Sequence, residues 1–445
     1  MNILMASPAV ADFSQDTWWI WVIKAVFIVV FLIFSVIFAL WFERRLIARM
    51  QNRLGPNTVG PFGLLQSFPD AIKLLFKEDF FLKGADKVVY FIAPAVSALC
   101  AFTLMAVIPM GPSVSMFGHV TPLQLADSPV AMLFVLAVAA LGEYGLVLGG
   151  WSAKSTLPLY GSVRSATQMI SYELAQGLSL VTIFVVNQTM ATSGIISSQQ
   201  SLWNIFILAP AFLVYFVTMF GEANRLPFDL PEAEGEIVAG PHVEYSSMKF
   251  GWYYLSEYIN MLNLSMLATT LFFGGWRAGP LVTWIYSLWG GDPNVGWIPM
   301  LWFIFKVWVF MAVFVWVRGT ALRFRYDQFM KLGWKGLIPS ALIWLSIVMI
   351  VIGVNMVYPI NVTNVLVILS TGFALIMLIW ALGDDSVKPT QAELIAARER
   401  EDFDGFENGY PVPPLPGQHL PPSPRVQRKV AYVPSPSETE ETENV

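Results

Sequence analysis

The sequence predicts an all-α polytopic membrane protein. Hydrophobic residues make up 56% of the 445-residue chain and charged residues only 13%, a balance that is typical of membrane proteins. Long apolar segments recur along most of the chain, and each can cross a bilayer core of roughly 30 Å as a helix of about 20 residues. These segments are continuously apolar, and helices satisfy their backbone hydrogen bonds within the membrane, so a helical bundle is expected.

Nine membrane-spanning helices are predicted. The first eight form the core of the bundle, and the ninth follows a short turn around Pro359 and Asn361. In chain order the predicted spans lie near residues 17–42, 88–110, 129–150, 168–190, 202–221, 251–273, 299–318, 336–358 and 363–382.

The distribution of lysine and arginine predicts the orientation of these helices. The loops that share one face of the membrane carry 17 basic residues, whereas the opposite loops carry only Arg277. Basic residues favour the cytoplasmic side, so residues 1–16 are predicted outside and the long loops 42–87 and 222–250 inside. Nine crossings also place the C-terminus in the cytoplasm. The N-terminus lacks the pattern of a cleaved signal peptide, so the first span is expected to insert uncleaved.

Residues 383–445 are predicted to form an acidic, proline-rich tail beyond the core at 17–358 and the additional helix at 359–382. They contain ten of the 29 prolines, and their 12 acidic and 6 basic residues give this region a charge of −6. Proline-rich runs favour extended, disordered backbone. We expect a solvated tail in the cytoplasm, with docking to a partner as the alternative.

The first long loop contains an amphipathic segment at residues 62–77. Its apolar side chains recur at helical spacing with polar residues between them, a pattern that suits the bilayer surface. Pro69 lies within the pattern and is expected to kink or restart the helix. Two interpretations stay open: an interfacial anchor, or the border of an opening through which a lipid-soluble molecule enters sideways.

Acidic residues are concentrated where the chain is otherwise apolar. Six carboxylates lie between Glu222 and Glu244, and Glu143, Glu173 and Glu257 are predicted within spans. Ionised groups at such depths cost several kcal/mol unless they are paired or neutralised. Clustered carboxylates raise one another's pKa values and share protons. The sequence therefore predicts acids that exchange protons, with structural ion pairing as the alternative.

Few residues suit a metal ion or a redox cofactor. Cys100 is the only cysteine, which excludes an internal disulfide or a cysteine-ligated iron–sulfur cluster within this chain. The three histidines (His119, His242 and His419) are scattered, and no phosphate-binding glycine loop or dinucleotide motif is visible. No metal site is predicted. Lys306, inside the seventh span, is a candidate partner for one buried carboxylate.

Short motifs, found in order between about residues 17 and 358, carry a resemblance to a known family. They are Glu43-Arg-Arg45, Gln51–Gly63, Gly142–Gly145, Gly150–Ser152, Gln168–Glu173, Asn224–Glu234, Val238–Gly240, Val243–Ser246, Arg323–Gln328 and Leu332–Lys335. Together they resemble the quinone-channel membrane subunit of proton-translocating NADH:quinone oxidoreductase, the H-type subunit of bacterial respiratory complex I. The acidic run and the Arg323–Gln328 segment are the most specific of these motifs.

The resemblance implies roles for particular residues. The amphipathic segment at 62–77 would border the entrance of a narrow quinone chamber. That chamber would be lined or braced by Arg44, Arg45, Gln51, Arg53, Asp70, Arg225, Phe228 and Arg318. A proton relay would link it to antiporter-like subunits through Glu143, Glu173, Glu222, Asp229, Glu232, Glu234, Glu236, Glu244 and Glu257.

The resemblance also implies the substrate and partners of the chain. Quinone would be the substrate, no cofactor would be bound by this chain alone, and flavin and iron–sulfur clusters would belong to partner subunits. Other membrane and peripheral subunits of the same complex and the lipid bilayer of a bacterial plasma membrane are the expected partners, and nucleic acid is not. The expected function is to form part of the quinone chamber and to couple quinone reduction to proton translocation.

Three other functions are alternatives to this one. A homologous subunit of a membrane-bound hydrogenase-type complex would lack quinone and flavin-containing partners. A free-standing proton or cation transporter predicts inverted repeats and broken helices in matching halves, and no internal repeat is visible in the sequence. A scaffold does not require glutamates inside the membrane.

Overall fold

The chain folds into long helices joined by short helical turns. A computed structural model describes residues 11–200, 202–279, 282–283, 286, 293–358 and 361–382. For residues 234 and 380–382 it describes the backbone alone. Within these residues, the helices in chain order are α1 (Trp18–Met50), α2 (Ser67–Phe76), α3 (Lys87–Leu104), α4 (Ala131–Ser152), α5 (Thr156–Asn187), α6 (Thr192–Ser198), α7 (Asn204–Ile207), α8 (Ala209–Glu222), α9 (Glu234–Ile237), α10 (Ser247–Phe272), α11 (Ile298–Thr320), α12 (Tyr326–Lys331), α13 (Ile338–Val357) and α14 (Val362–Leu382). The nine predicted spans correspond to α1, α3, α4, α5, α8, α10, α11, α13 and α14, which confirms the all-α polytopic fold.

Most of these nine helices are long and apolar enough to cross a membrane. Among the described residues, seven pass that test, whereas α8 is apolar but has only 14 residues. The remaining one, α10, is long but more polar, and every residue from Met261 to Phe272 is buried. Its polar side chains bond inside the bundle: Asn263 Nδ2 donates to the Ala101 carbonyl at 2.7 Å and Ser265 Oγ to the Met261 carbonyl at 2.8 Å. Protein and not lipid therefore surrounds the C-terminal half of α10.

The largest difference from the predicted spans concerns α5. The span was predicted near 168–190, but the helix begins at residue 156. Its first turns carry polar side chains such as Ser162 and Arg164, which lower the hydropathy without interrupting the helix. As a result, Glu173 lies near the middle of a long helix and not near its start, as the sequence had indicated.

The amphipathic segment of the first loop forms two elements. A 3₁₀ turn covers Pro61–Gln66, and α2 begins at Ser67. Pro69 lies in the first turn of α2, where proline is tolerated, so the predicted restart of the helix is confirmed. A Cβ atom at Gly63 would overlap the Pro56 carbonyl oxygen, and the φ of Gly63 is +75°, so this turn requires glycine.

A small β-hairpin was not predicted. In the described part of the chain, β1 (Ser113–Met116) pairs antiparallel with β2 (His119–Pro122), between α3 and α4. Its strands are too short to show an alternating pattern in the sequence. A π-helical segment, Leu332–Leu337, was likewise not anticipated; it joins α12 to α13.

The predicted ninth helix is α14, which packs beside α13 and α7. The rings of Trp344 and Phe373 stack with centroids 5.6 Å apart, and Ser370 Oγ donates to the Phe206 carbonyl at 2.9 Å. The predictions for the tail at 383–445 and for most of the N-terminal segment lie outside the described residues.

Four helix ends meet at one face of the bundle. They are the C-terminal ends of α1, α8 and α11 and the N-terminal end of α10; α1 packs against α10 and α11, and α10 packs against α8 and α11. The loop between α8 and α10 packs against α4 and α5 through its 3₁₀ turn, Gly240–His242. Charged residues that are distant in the sequence are thereby brought together.

Candidate functional site

A cavity of about 650 Å³ opens at the face where the four helix ends meet. Its wall combines charged side chains, two tyrosines and aliphatic residues. Pockets for small organic ligands have volumes of roughly 300–1,000 Å³, so the cavity can hold a substituted ring. The lining residues are Glu43, Arg44, Ile47, Ala48, Gln51, Arg53, Leu54, Gly55, Pro56, Leu226, Tyr254, Tyr258, Arg318 and Gly319.

The predicted chamber residues divide into those that line this cavity and those that support it. Arg44, Gln51, Arg53 and Arg318 line it. They come from the end of α1, the loop that follows and the end of α11. Separate parts of the sequence therefore contribute hydrogen-bond donors to the same cavity.

Arg45 and Asp70 brace the first loop and do not line the cavity. Arg44 Nη1 donates to Asp70 Oδ2 at 2.5 Å, and this pair is partly exposed. Arg45 Nη1 donates to the carbonyl oxygens of Pro56 at 3.2 Å and Phe62 at 2.9 Å. These bonds fix α2 and the turn before it against the end of α1.

Two further predicted chamber residues, Phe228 and Arg225, lie behind the wall. Phe228 is buried, and its ring packs against Phe324 and Phe329 with centroid distances of 5.2 and 5.0 Å. Leu226, between the two predicted residues, is the part of this loop that reaches the cavity. Phe228 and Arg225 therefore support the wall from within the protein.

An ion pair and two tyrosines form the inner wall of the cavity. Arg318 Nη1 donates to Glu43 Oε1, and the Tyr258 hydroxyl donates to the other oxygen of Glu43 at 2.8 Å. The hydroxyl oxygens of Tyr254 and Tyr258 are 3.3 Å apart. Glu43 thus joins α1, α10 and α11 through both of its carboxylate oxygens.

Arg225, Glu257 and His242 lie directly behind Tyr258. The guanidinium carbon of Arg225 is 4.1 Å from the centre of the Tyr258 ring, and Arg225 Nη2 is 3.7 Å from Glu257 Oε2. His242 Nε2 lies 3.4 Å from Glu257 Oε1 and 3.9 Å from Glu232 Oε1. Among the described residues Arg225 pairs with one carboxylate, that of Glu257, and His242 bridges from it to Glu232.

The pKa values of the loop residues are shifted by burial and by neighbouring charges. Burial raises the pKa of Glu232 to about 7, with a further increase from the charge of Glu257 and an opposing effect of His242. Burial also raises the pKa of Asp229, despite the Arg323 guanidinium at 2.6 Å. Burial by itself would lower the pKa of His242, but the hydrogen bond and charge of Glu257 raise it above its ordinary value. Glu232 is thereby suited to exchange a proton near neutral pH.

A second group of polar residues lies where α4, α5 and α8 pack together. Asn224 Nδ2 donates to Glu143 Oε1 at 3.5 Å, and Gln176 Nε2 donates to Glu222 Oε2 at 2.7 Å. Gln168 Nε2 donates to Asn224 Oδ1 at 3.3 Å. Within the described residues, neither Glu143 nor Glu222 pairs with a cation. Amide donors, and not salt bridges, hold these two carboxylates.

Glu143 links the two groups electrostatically. The charges of Glu222, Glu257 and Glu173 all act on it. Because Glu222 belongs to the amide-bonded group and Glu257 to the group behind the cavity wall, a change of charge in either group is felt at Glu143.

The other predicted relay residues are more peripheral. Glu236 is exposed and pairs with Arg164 at 2.5 Å. Glu173 and Glu244 are half-buried. The side chain of Glu234 lies outside the described part of the structure. The structure therefore brings together Glu143, Glu222, Asp229, Glu232 and Glu257 more closely than the rest of the predicted set.

Lys306 does not pair with a carboxylate among the described residues. Its Nζ donates to the carbonyl oxygens of Phe273 at 2.7 Å, Gly275 at 2.9 Å and Arg277 at 2.6 Å, and it lies 4.7 Å from the centre of the Trp203 ring. These carbonyls follow the end of α10, where backbone acceptors lack partners within the helix. The alternative in which Lys306 pairs with a buried carboxylate is therefore not seen among the described residues, and this lysine closes a helix end.

Four residues of the site were not singled out as functional from the sequence. Tyr254 and Tyr258 lie one helical turn apart around Glu257, a spacing that could have identified them. Glu43 stood out only as part of a motif with two arginines. His242 looked isolated because no carboxylate adjoins it in the sequence.

Two comparisons with known proteins cover the whole of this site. A family described as NADH dehydrogenase matches residues 23–349. The chain is 47% identical over 429 residues to the H-type subunit of the NADH-quinone oxidoreductase of Streptomyces avermitilis, an alignment that spans 96% of this chain and 93% of the relative. Every residue of the cavity wall and of the acidic loop falls within both matches.

Proposed function

Because the chain belongs to the NADH dehydrogenase family, as an H-type membrane subunit of NADH:quinone oxidoreductase, we propose that it forms part of the chamber in which quinone is reduced. We further propose that its buried carboxylates couple this reduction to proton translocation. The observation that carries the proposal is the run of contacts from the cavity wall at Tyr258 through Arg225 to Glu257.

The cavity suits a quinone headgroup. A quinone presents carbonyl acceptors at the edge of a flat apolar ring. Arg44, Arg53 and Arg318 supply guanidinium donors at the wall, and Ile47 and Leu226 supply apolar surface for the ring. Small-molecule sites commonly combine apolar walls with a few well-placed polar groups in this way.

An entrance for the quinone tail is proposed beside α2. This helix exposes Ile72, Leu75 and Phe76, which form an apolar surface suited to the boundary of the bilayer. The Arg44–Asp70 ion pair ties α2 to the cavity wall. In this proposal the helix is both an interfacial anchor and the border of a lateral opening.

Coupling is proposed to begin with charge at the cavity wall. Reducing quinone to the level of its dianion creates negative charge and a demand for protons. The guanidinium of Arg225, between the Tyr258 ring and Glu257, is positioned to respond to that charge. Unit charges a few ångströms apart near a protein surface interact with about 4 kcal/mol at an effective dielectric constant near 20. Any movement of this guanidinium therefore changes the electrostatic potential at Glu257 and at Glu143 beyond it.

The remaining chemistry is proposed to belong to partner subunits. Flavin, iron–sulfur clusters and the direct proton donors to the headgroup would lie in peripheral subunits, which agrees with the single cysteine of this chain. The carboxylates would pass their change of protonation to neighbouring membrane subunits. We place the cavity and the loops 42–87 and 222–250 on the cytoplasmic side of a bacterial plasma membrane, as the lysine and arginine distribution predicts.

Substituting Glu222 in the assembled complex tests this proposal. Glu222→Gln preserves the shape of the side chain but removes its charge and its capacity to exchange a proton. We expect NADH:quinone reductase activity and proton pumping in proteoliposomes to fall together by about tenfold or more, equivalent to at least about 1.4 kcal/mol in the limiting step. Glu78→Gln, at an exposed glutamate of the first loop, is the matched control and keeps both activities.

The unmodified complex, Glu222→Gln and Glu78→Gln should oxidise NADH at equal rates with an artificial electron acceptor that bypasses quinone. Equal rates would show that all three complexes are assembled. If Glu222→Gln keeps both quinone reduction and pumping at the level of the control, the proposed relay is wrong.

A further inference from the structure

Three side chains of the acidic loop and α10 form a group that the chamber does not require. Glu232, His242 and Glu257 each present one ligand atom, and these atoms all lie within 4.8 Å of one another. We propose that the three residues form a binding site for a divalent transition-metal ion, with Zn²⁺ as the ion that fits best. Nothing in the sequence indicated this grouping, because the loop brings its members together only in the fold.

The distances already approach those of a zinc site. Ligand atoms about 2.0–2.2 Å from a tetrahedral zinc ion lie about 3.4 Å from one another. His242 Nε2 is 3.4 Å from Glu257 Oε1 and 3.9 Å from Glu232 Oε1. Only the Glu232 carboxylate has to move closer to His242 and Glu257. Its side chain is the most exposed of the three, at 31%. Binding thus needs a small side-chain adjustment and no rearrangement of the backbone.

His242 points into this site. Its side chain is 3% exposed, Nε2 faces both carboxylates, and Nδ1 has no hydrogen-bond partner among the described residues. A metal at Nε2 replaces the proton that faces Glu257 and requires the tautomer with its proton on Nδ1, an atom at which no hydrogen bond opposes that proton among the described residues.

The local charges favour a cation despite a nearby guanidinium. Arg225 contacts Oε2 of Glu257, whereas Oε1 faces His242, so the metal position and the guanidinium lie at different oxygens. The two carboxylates of Glu232 and Glu257 carry more negative charge than Arg225 offsets, and the neighbouring Asp229 is paired with Arg323. We expect the guanidinium to weaken binding without preventing it.

The donor set selects among metal ions. One imidazole nitrogen and two carboxylate oxygens suit Zn²⁺, which in many sites binds three protein ligands and one water. Mg²⁺ prefers oxygen ligands in an octahedral arrangement and keeps most of its water. Zinc is therefore expected to bind in the presence of excess magnesium.

Counting bound zinc in the assembled complex tests the proposal. The complex is stripped with a chelator, incubated with zinc sulfate in excess magnesium sulfate, desalted and analysed by mass spectrometry of the metal. We expect His242→Gln to lose one zinc ion per complex relative to the unmodified protein, or to need at least about tenfold more free zinc for half-saturation. His119→Gln, in the distant β-hairpin, is the matched control and retains that ion.

Glu232→Gln provides a second variant in case His242→Gln does not assemble, and it should also lose the ion. In X-ray absorption, the difference between the unmodified complex and the variant should show nitrogen or oxygen ligands at about 2.0–2.2 Å from zinc. Equal zinc content in the unmodified protein and both assembled variants, or no zinc taken up by the unmodified protein, overturns the proposal.

The metal count does not depend on the function proposed above. If the relay proposal also holds, bound zinc slows quinone reduction, because its ligands must be deprotonated. Zinc that binds at His242 without slowing turnover would support the zinc site and count against the proton relay. Failure of the zinc proposal can therefore be distinguished from failure of the proposed function.

Discussion

Tyr258 connects the cavity wall to the residues behind it. Its hydroxyl donates to Glu43, and the guanidinium of Arg225 lies over its ring. The sequence identified charged residues such as Arg225 because charge is rare in this chain. It did not identify Tyr258, since an aromatic residue on an apolar helix is ordinary until its partners from α1 and the acidic loop are known.

Replacing Tyr258 with phenylalanine separates these two contacts. Tyr258→Phe keeps the ring beneath Arg225 but removes a hydrogen bond to a charged group, an interaction of about 1.5–3 kcal/mol. Because Glu43 and Arg318 lose their fixed position, we expect the KM for a short-tailed quinone to rise about tenfold. Tyr254→Phe, which removes only the contact between the two hydroxyls, should change KM much less. A KM for Tyr258→Phe equal to that of the unmodified complex contradicts this assignment.

Lys306 has a structural role, in contrast to the carboxylates. Lys306→Met removes the donor to three carbonyl oxygens beyond α10, and each buried acceptor left without a partner costs about 1–3 kcal/mol. We predict a lower melting temperature of the purified complex, with the KM for quinone unchanged in the fraction that remains assembled. An unchanged melting temperature together with lost pumping would instead place Lys306 in the proton relay.

The spans were predicted in the right order because continuous apolar sequence marks a helix in lipid. The predicted ends of the spans were less accurate where a helix contacts other parts of the protein and not lipid. The first turns of α5 are polar because they pack beside the acidic loop, and α8 is short because α6 and α7 interrupt the approach to it. Hydropathy reports contact with lipid, so it could not show these boundaries.

Close packing of α3 against α4 positions Glu143. A Cβ atom at Gly145 would overlap Ser97 Oγ and would lie 2.7 Å from the Ala93 carbonyl oxygen. Gly145→Ala is expected to push the helices apart and to destabilise the subunit by about 1–3 kcal/mol. Gly177→Ala on α5, where no atom lies within 4 Å of the added methyl group among the described residues, is the control. Thermal unfolding of the two variants measures the difference; equal melting temperatures contradict the packing argument.

Across the whole molecule, the site is formed by helix ends that are far apart in the sequence. α10 contributes both to the cavity wall and to the group behind it, since Tyr258 lines the cavity and Glu257 contacts Arg225 and His242. The resemblance to a known family assigned most of these residues to a chamber or a relay. Which residues contact one another depends on how the helices pack, and one sequence contains too little information to fix that packing.

Buried carboxylates are proposed to change protonation when quinone is reduced. Infrared difference spectra of the assembled complex, recorded between its oxidised and reduced states, measure this change directly. We expect a carbonyl band of a protonated carboxylic acid that changes on reduction, persists in Glu78→Gln and disappears or shifts in both Glu143→Gln and Glu222→Gln. A difference spectrum in which these two variants match the unmodified complex would show that the two carboxylates keep a fixed charge throughout turnover, and would contradict the proposed relay.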